Sequence, residues 1–344
     1  MQTPACLRLG FDRTDDGGAR RARDGAVSDG GTQTGAWDGL PRPGDGASVG
    51  EGGASGGPLT FVPAPKKTAI MALAWSPAEK VGYAATYSGA MLRLSGESWQ
   101  LHADNVTTEI LRAVWADPAT GEAFAVGDKG VILRHLPGGG WVASPSQTIV
   151  ALRGVWGANA RDVWCAGDQG TLLHFDGASW KRAPSPTTLE LRTVFGFSAS
   201  QIWTVGYGGL VLRYDGSAWK SEPDAPANGL RDIWGLSTTE LWVVGDGGLV
   251  LRRQGAGWVR IPSTVSQTLH ALRGVSPTEL WAVGDEGTVV RFDGTRWSAV
   301  ALPPLPPDVI PPGQRAPNLH GVAYLGASGP WIGGQLGTLL RPSR

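Results

Sequence analysis

Arginine recurs one residue into a repeated apolar run, at Arg112, Arg153, Arg192, Arg231 and Arg273, and aspartate recurs further along the same repeats, at Asp128, Asp168, Asp246 and Asp285. A guanidinium opposite a carboxylate forms a charge-assisted, often bidentate pair, whereas one without such a partner can recognise a carboxylate on another molecule. The departures from the pattern are therefore informative. Tyr87, Tyr207 and Gln335 stand where the other repeats carry aspartate, and Ala72 and His320 stand where they carry arginine. Antiparallel pairing brings the two columns onto one face. The spacing thus predicts structural pairs at Arg153 with Asp168, Arg231 with Asp246 and Arg273 with Asp285. It leaves Arg192 facing Tyr207, and it marks Arg192, Tyr207, Arg112, Tyr87, His320 and Gln335 as candidate binding residues.

Other chemistries find little footing. The histidines at 102, 135, 174, 270 and 320 show no paired metal-ligand spacing, and neither a phosphate loop nor a dinucleotide fingerprint is present, so no metal and no cofactor is expected. Arg260-Ile261-Pro262 resembles the Arg-Ile-Pro motif of sialidases. It nevertheless falls at the repeat position held elsewhere by Ala143-Ser144-Pro145 and Arg182-Ala183-Pro184. No arginine cluster, paired tyrosine nucleophile or acid stands outside the repeat to complete such a site. The chain reads as a non-enzyme.

The repeat that positions these residues is best seen in Leu152–Trp180, LRGVWGANARDVWCAGDQGTLLHFDGASW. Seven copies align from Met71, Leu111, Leu152, Leu191, Leu230, Leu272 and Leu319, at intervals of 40, 41, 39, 39, 42 and 47 residues. That period belongs to propeller blades. Within a copy, short apolar runs separated by glycine-bearing turns predict strands a (Leu152–Trp156), b (Val163–Ala166), c (Thr171–Phe175) and d (Ser179–Ala183). The b–c turn ends on glycine in every copy, for example Gly89, Gly170 and Gly337, which predicts positive φ there. An isolated four-stranded unit cannot cover both faces of its sheet, so the copies must close into a ring. The seventh copy stops after Thr338–Arg341, and Leu59–Ala64 supplies its missing d strand, with Phe61 standing where other d strands carry tryptophan. Residues 58–344 therefore read as an all-β, seven-bladed propeller closed by its N-terminal strand.

Fifteen of the 16 tryptophans fall at recurring strand positions, and each b strand carries an aromatic, from Tyr83 and Phe124 to Trp331. Recurrence in all copies argues for packing of blade on blade rather than for a glycan platform. A basic column in strand c, from Arg93 and Arg134 to Arg341, reads likewise as stems covering apolar strand edges.

The chain has 344 residues, zero formal net charge and 17 % charged residues, which disfavours nucleic acid as a partner. No run approaches the length of a membrane span. Residues 1–57 are rich in Gly, Asp, Ser and Arg with almost no apolar periodicity, and read as a disordered tether. The chain as written carries no export signal. A flexible tether ahead of a propeller, with Cys6 after a small residue, nevertheless fits an exported bacterial protein in an extracytoplasmic compartment.

The VGD-x-G turn followed by DG-x-x-W resembles the Asp-box (BNR) propellers and is similar to the propellers of photosystem II assembly factors. The Asp-box serine is missing, and the aspartate sits four rather than five residues before the tryptophan. The resemblance implies a binding role on an arginine-bearing face, through Arg112, Arg153, Arg192, Arg231 and Arg273. The expected function is a non-catalytic, monomeric interaction propeller that presents this face to a protein or extended acidic ligand. The alternative is a glycan-binding or sialidase-like glycoside hydrolase propeller. Beside the face, the segment ALPPLPPDVIPPGQRAPN (301–318), with seven prolines, reads as a polyproline insertion that could be a lid, a docking segment or a tolerated loop.

Overall fold

The computed structural model describes residues 59–222, 228–326 and 329–343. The segment read as a tether, with Cys6 and Trp37, lies outside the described residues. The rest forms seven four-stranded antiparallel sheets. Strand a of each sheet packs against strand a of the next, and the seventh returns to the first, so the sheets are blades around a central channel. Blade three runs Leu152–Asn159, Asp162–Gly167, Leu172–Phe175 and Trp180–Arg182, each strand bonded to the next in sequence. The ring closes as the sequence requires: Leu59–Pro63 pairs antiparallel with Thr338–Pro342 and completes blade seven.

The register places strand starts at Ile70, Leu111, Leu152, Leu191, Leu230, Leu269 and Leu319, all of them wholly buried. Blade one therefore begins one residue before Met71, which puts Met71 rather than Ala72 in the arginine column. Blade six begins three residues before Leu272, which puts His270 there instead of Arg273. In blade seven, Leu59 lies opposite Pro342 just as Trp180 lies opposite Phe175. Leu59, not Phe61, thus occupies the tryptophan position.

Aromatics seal the seams between blades. The b-strand ring of one blade meets the d-strand tryptophan of the next edge-on, as in Tyr83 with Trp141 (5.5 Å between centroids), Phe124 with Trp180 (5.8 Å) and Trp331 with Trp99 (5.7 Å). Strand c lays basic side chains over the same rings: the cations of Arg213 and Arg252 lie 5.3 Å from the Trp203 centroid and 5.1 Å from that of Trp242, and the His174 ring stacks on Trp164 at 4.3 Å. The basic column therefore covers aromatic faces rather than strand edges. The seam between blades four and five is built differently. Arg253 takes the position of Phe175 and Phe292, opposite its d-strand tryptophan, and its guanidinium sits 6.0 Å from Trp203 and 5.9 Å from Trp258. Its Nη1 donates to both oxygens of Glu222 at 3.1 and 3.0 Å.

Candidate functional site

One backbone device fixes the face on which the arginine and aspartate columns meet. The N–H of the residue opening each b–c turn donates to the carbonyl just before strand a, as from Asp168 to Ala151 (3.0 Å), Tyr207 to Glu190 (2.9 Å) and Gln335 to Asn318 (2.9 Å). The chains come so close that a Cβ on Gly167 would lie 2.2 Å from the Ala151 oxygen, which is why glycine precedes the aspartate. The turn then closes through a glycine at φ between +64° and +77° in all seven blades, as at Gly170 and Gly337. With the first residue of strand a buried, the side chain after it meets the side chain that opens the turn.

In blades three and five this gives the pairs read from the spacing, and in blade two Arg112, marked as a candidate binding residue, is instead engaged by Asp128 in the same way. Arg112 Nη2 donates to Asp128 at 2.9 Å, Arg153 Nη2 to Asp168 at 3.0 Å and Arg231 Nε to Asp246 at 2.7 Å. Nε of Arg112 and of Arg153 closes the second arm of a bidentate bond. The pairing of Arg273 with Asp285 does not occur. Asp285 is bound at 2.7 Å by His270 Nε2, and Arg273 instead bonds Asp232 of blade five at 2.7 Å. The cause is the three-residue phase difference in blade six, which sends Arg273 into the channel wall.

Blade four departs from this rule. Arg192 lies 6.0 Å from the Tyr207 ring centroid, as expected, but it also has a carboxylate: its Nη2 is 3.0 Å from Glu190 Oε1. That same oxygen is 2.7 Å from Arg153 Nε, so a single carboxylate is shared between two blades. Burial, and then the neighbouring Arg231, weigh against the Arg192 charge and lower its pKa, with Glu190 opposing. Its Nε is buried and finds no acceptor among the described residues. Tyr207 is 54 % exposed, and Leu189, also exposed, lies beside Gly208 of the same turn.

The remaining candidates do not join this group. Gln335 Oε1 accepts the Asn318 N–H at 2.8 Å, so Gln335 pins the end of the proline-rich connection. His320 stands 5.6 Å from the His270 ring, and burial, then His270, lowers its pKa to about 4. Tyr87 is exposed on blade one, three blades away from Tyr207. The connection 301–318 itself lies folded down: Val309 is buried, Leu302 and Ala316 cover Gly287, and Asp308 pairs with Lys67 at 2.6 Å. Pro306, at φ −58° and ψ 141°, has the expected polyproline conformation.

Two features were not read from the sequence. Glu190 lies just ahead of the repeat and has no counterpart in the pattern. The second is the channel, where the residue four places into strand a faces inward and is Trp115, Trp156, Phe195 and Trp234 in blades two to five. The phase error at Leu272 hid the next member of this series, Arg273.

Fold and site together define a seven-bladed β-propeller with a charged turn face and an aromatic channel. Two solved structures of YCF48 share the fold. The one bound to D1 peptide matches with a TM-score of 0.65 and 14 % identity over 83 % of this chain and 97 % of that one. YCF48 from Cyanidioschyzon merolae matches with a TM-score of 0.64 and 17 % identity over 83 % and 98 %. A catalytically inactive virginiamycin B lyase from Staphylococcus aureus, with quinupristin, matches with a TM-score of 0.70 and 13 % identity over 82 % and 98 %. At these identities the likeness is one of fold. No protein-family model matches the chain, and no curated protein matches it in sequence.

Proposed function

We propose that this propeller is a binding module that captures an extended, acidic protein segment on the turn face of blade four. The observation that carries the reading is Arg192, the one arginine in its column whose turn opens without a carboxylate. It is held between exposed Tyr207 and a glutamate already engaged by Arg153. A carboxylate arriving from a partner would meet the accessible part of the Arg192 guanidinium and compete there with the shared Glu190, and an apolar side chain next to it would lie over Tyr207 and Leu189. The peptide complex of one fold neighbour supports protein binding as a use of such a ring. The Asp-box likeness adds no activity to this reading, and an extracytoplasmic location is compatible with it. A glycan platform is less well supported, because the b- and d-strand tryptophans that would form it are buried in the seams.

The test is fluorescence anisotropy with labelled decapeptides that alternate glutamate with tyrosine or leucine. Arg192→Glu should weaken binding about tenfold or more, as expected for a lost charge-assisted contact. Lys220→Glu, on an outer strand, should leave binding unchanged. Equal affinity of the wild type and Arg192→Glu would overturn the proposal.

A further inference from the structure

The inward series of strand a is aromatic over four consecutive blades and then changes. The indole of Trp115 reaches across Gly157 of the next blade, where a Cβ would lie 2.7 Å from the ring, and Trp156 and Trp234 cover Gly196 and Gly274 in the same way at 2.8 Å. In blade six the equivalent residue is Arg273, and in blades seven and one it is Ala323 and Ala74. A cavity of about 220 Å³ remains in the channel, lined from all seven blades with Trp75 and Tyr324 included, towards the a–b turns and away from the arginine and aspartate columns. It is larger than the cavity of about 150 Å³ that admits benzene in a protein core.

Among the described residues, Arg273 is the only formally charged one lining this cavity. It is rigidly held. Nη1 donates to Asp232 at 2.7 Å and to the Leu272 carbonyl at 2.5 Å, while Asp232 also accepts the backbone N–H groups of Leu272 (2.9 Å) and Ile233 (3.0 Å). Both of its bonds leave from one nitrogen, so Nε and Nη2 have no acceptor among the described residues. A fixed guanidinium edge in a wall of indole and phenyl rings suits a ligand with a flat apolar body and one planar anion.

We propose that this end of the channel is a binding site for a small aromatic carboxylate, with the carboxylate on Arg273 and the ring among Trp156, Phe195 and Trp234. The site lies on the opposite side of the ring from Arg192 and does not depend on the peptide reading.

Isothermal titration with 2-naphthoate and its neutral counterpart 2-naphthamide tests this directly. The wild type should bind the naphthoate at least about tenfold more tightly than the amide, the margin of a charge-assisted bond. Arg273→Met should bind the two alike. Because that variant strands Asp232, a second one leaves the ion pair intact: Val275→Trp, at an exposed position in the cavity wall, should weaken both ligands about tenfold or more by filling the space. Arg192→Glu should leave naphthoate affinity unchanged. The proposal is overturned if the wild type binds neither ligand or does not prefer the naphthoate, if Arg273→Met keeps the preference, or if Val275→Trp binds as the wild type does.

Discussion

His320 is the residue at which the turn face senses pH. Burial and the adjacent His270 keep it neutral, with a pKa lowered to about 4, although Asp285 pulls the other way. In the unfolded chain the same imidazole titrates near its ordinary value of about 6.5. Between these values the unfolded state binds more protons, so stability is complete above about pH 6.5 and falls as the pH drops towards 4, by up to roughly 3 kcal/mol. His320→Gln should flatten the urea midpoint across that range. A midpoint that still declines as steeply would assign the acid sensitivity to another group. Arg192 and Tyr207 show why single residues of a repeat protein are legible: a missing aspartate is visible without coordinates. Glu190 was not, because it belongs to no repeated column and its role depends on two blades meeting.

At the scale of strands and seams, the seven blades were legible and the phase of one was not. Leu-Arg-Gly-Val occurs both at 152–155 and at 272–275, and the match in letters hides a shift of three residues. What sets the register is the glycine that ends strand b, which lies opposite the first residue of strand a: Gly167 faces Leu152 and Gly284 faces Leu269, each 15 residues away. Counting back from the turn finds the register, whereas matching the apolar run does not. The seam between blades four and five carries a separate expectation. Arg253 and Glu222 are each 11 % exposed, so Arg253→Met should cost about 3–5 kcal/mol by leaving a buried carboxylate without its counter-charge, bonded still by the Trp203 Nε1–H at 3.2 Å. The double change Arg253→Phe with Glu222→Leu, which restores the ring found at Phe175 and Phe292, should regain most of that in urea melts. A single variant as stable as the wild type would mean that the pair contributes nothing to the seam.

For the whole molecule, closure depends on one sheet made from the two ends of the described chain. The sequence displayed this as a missing d strand, and it erred only in the side chain that fills the tryptophan position. Leu59 is buried beside Trp281 and Leu340, so removing Leu59–Pro63 uncovers blade seven along its full length. That deletion should abolish a single cooperative thermal transition, and a melt superimposable on the parent's would show that the ring closes without it. The channel was the least legible part, since it exists only where seven inward positions converge.

Because the last blade borrows its outer strand from the front of the chain, the blades have an order in the gene but no first or last member in space. A coding sequence rotated by whole repeats would specify the same circle. Individual blades can therefore differ by position around the axis without altering closure, and Arg192 and Arg273, on opposite ends of it, are two positions at which this ring departs from its own repeat.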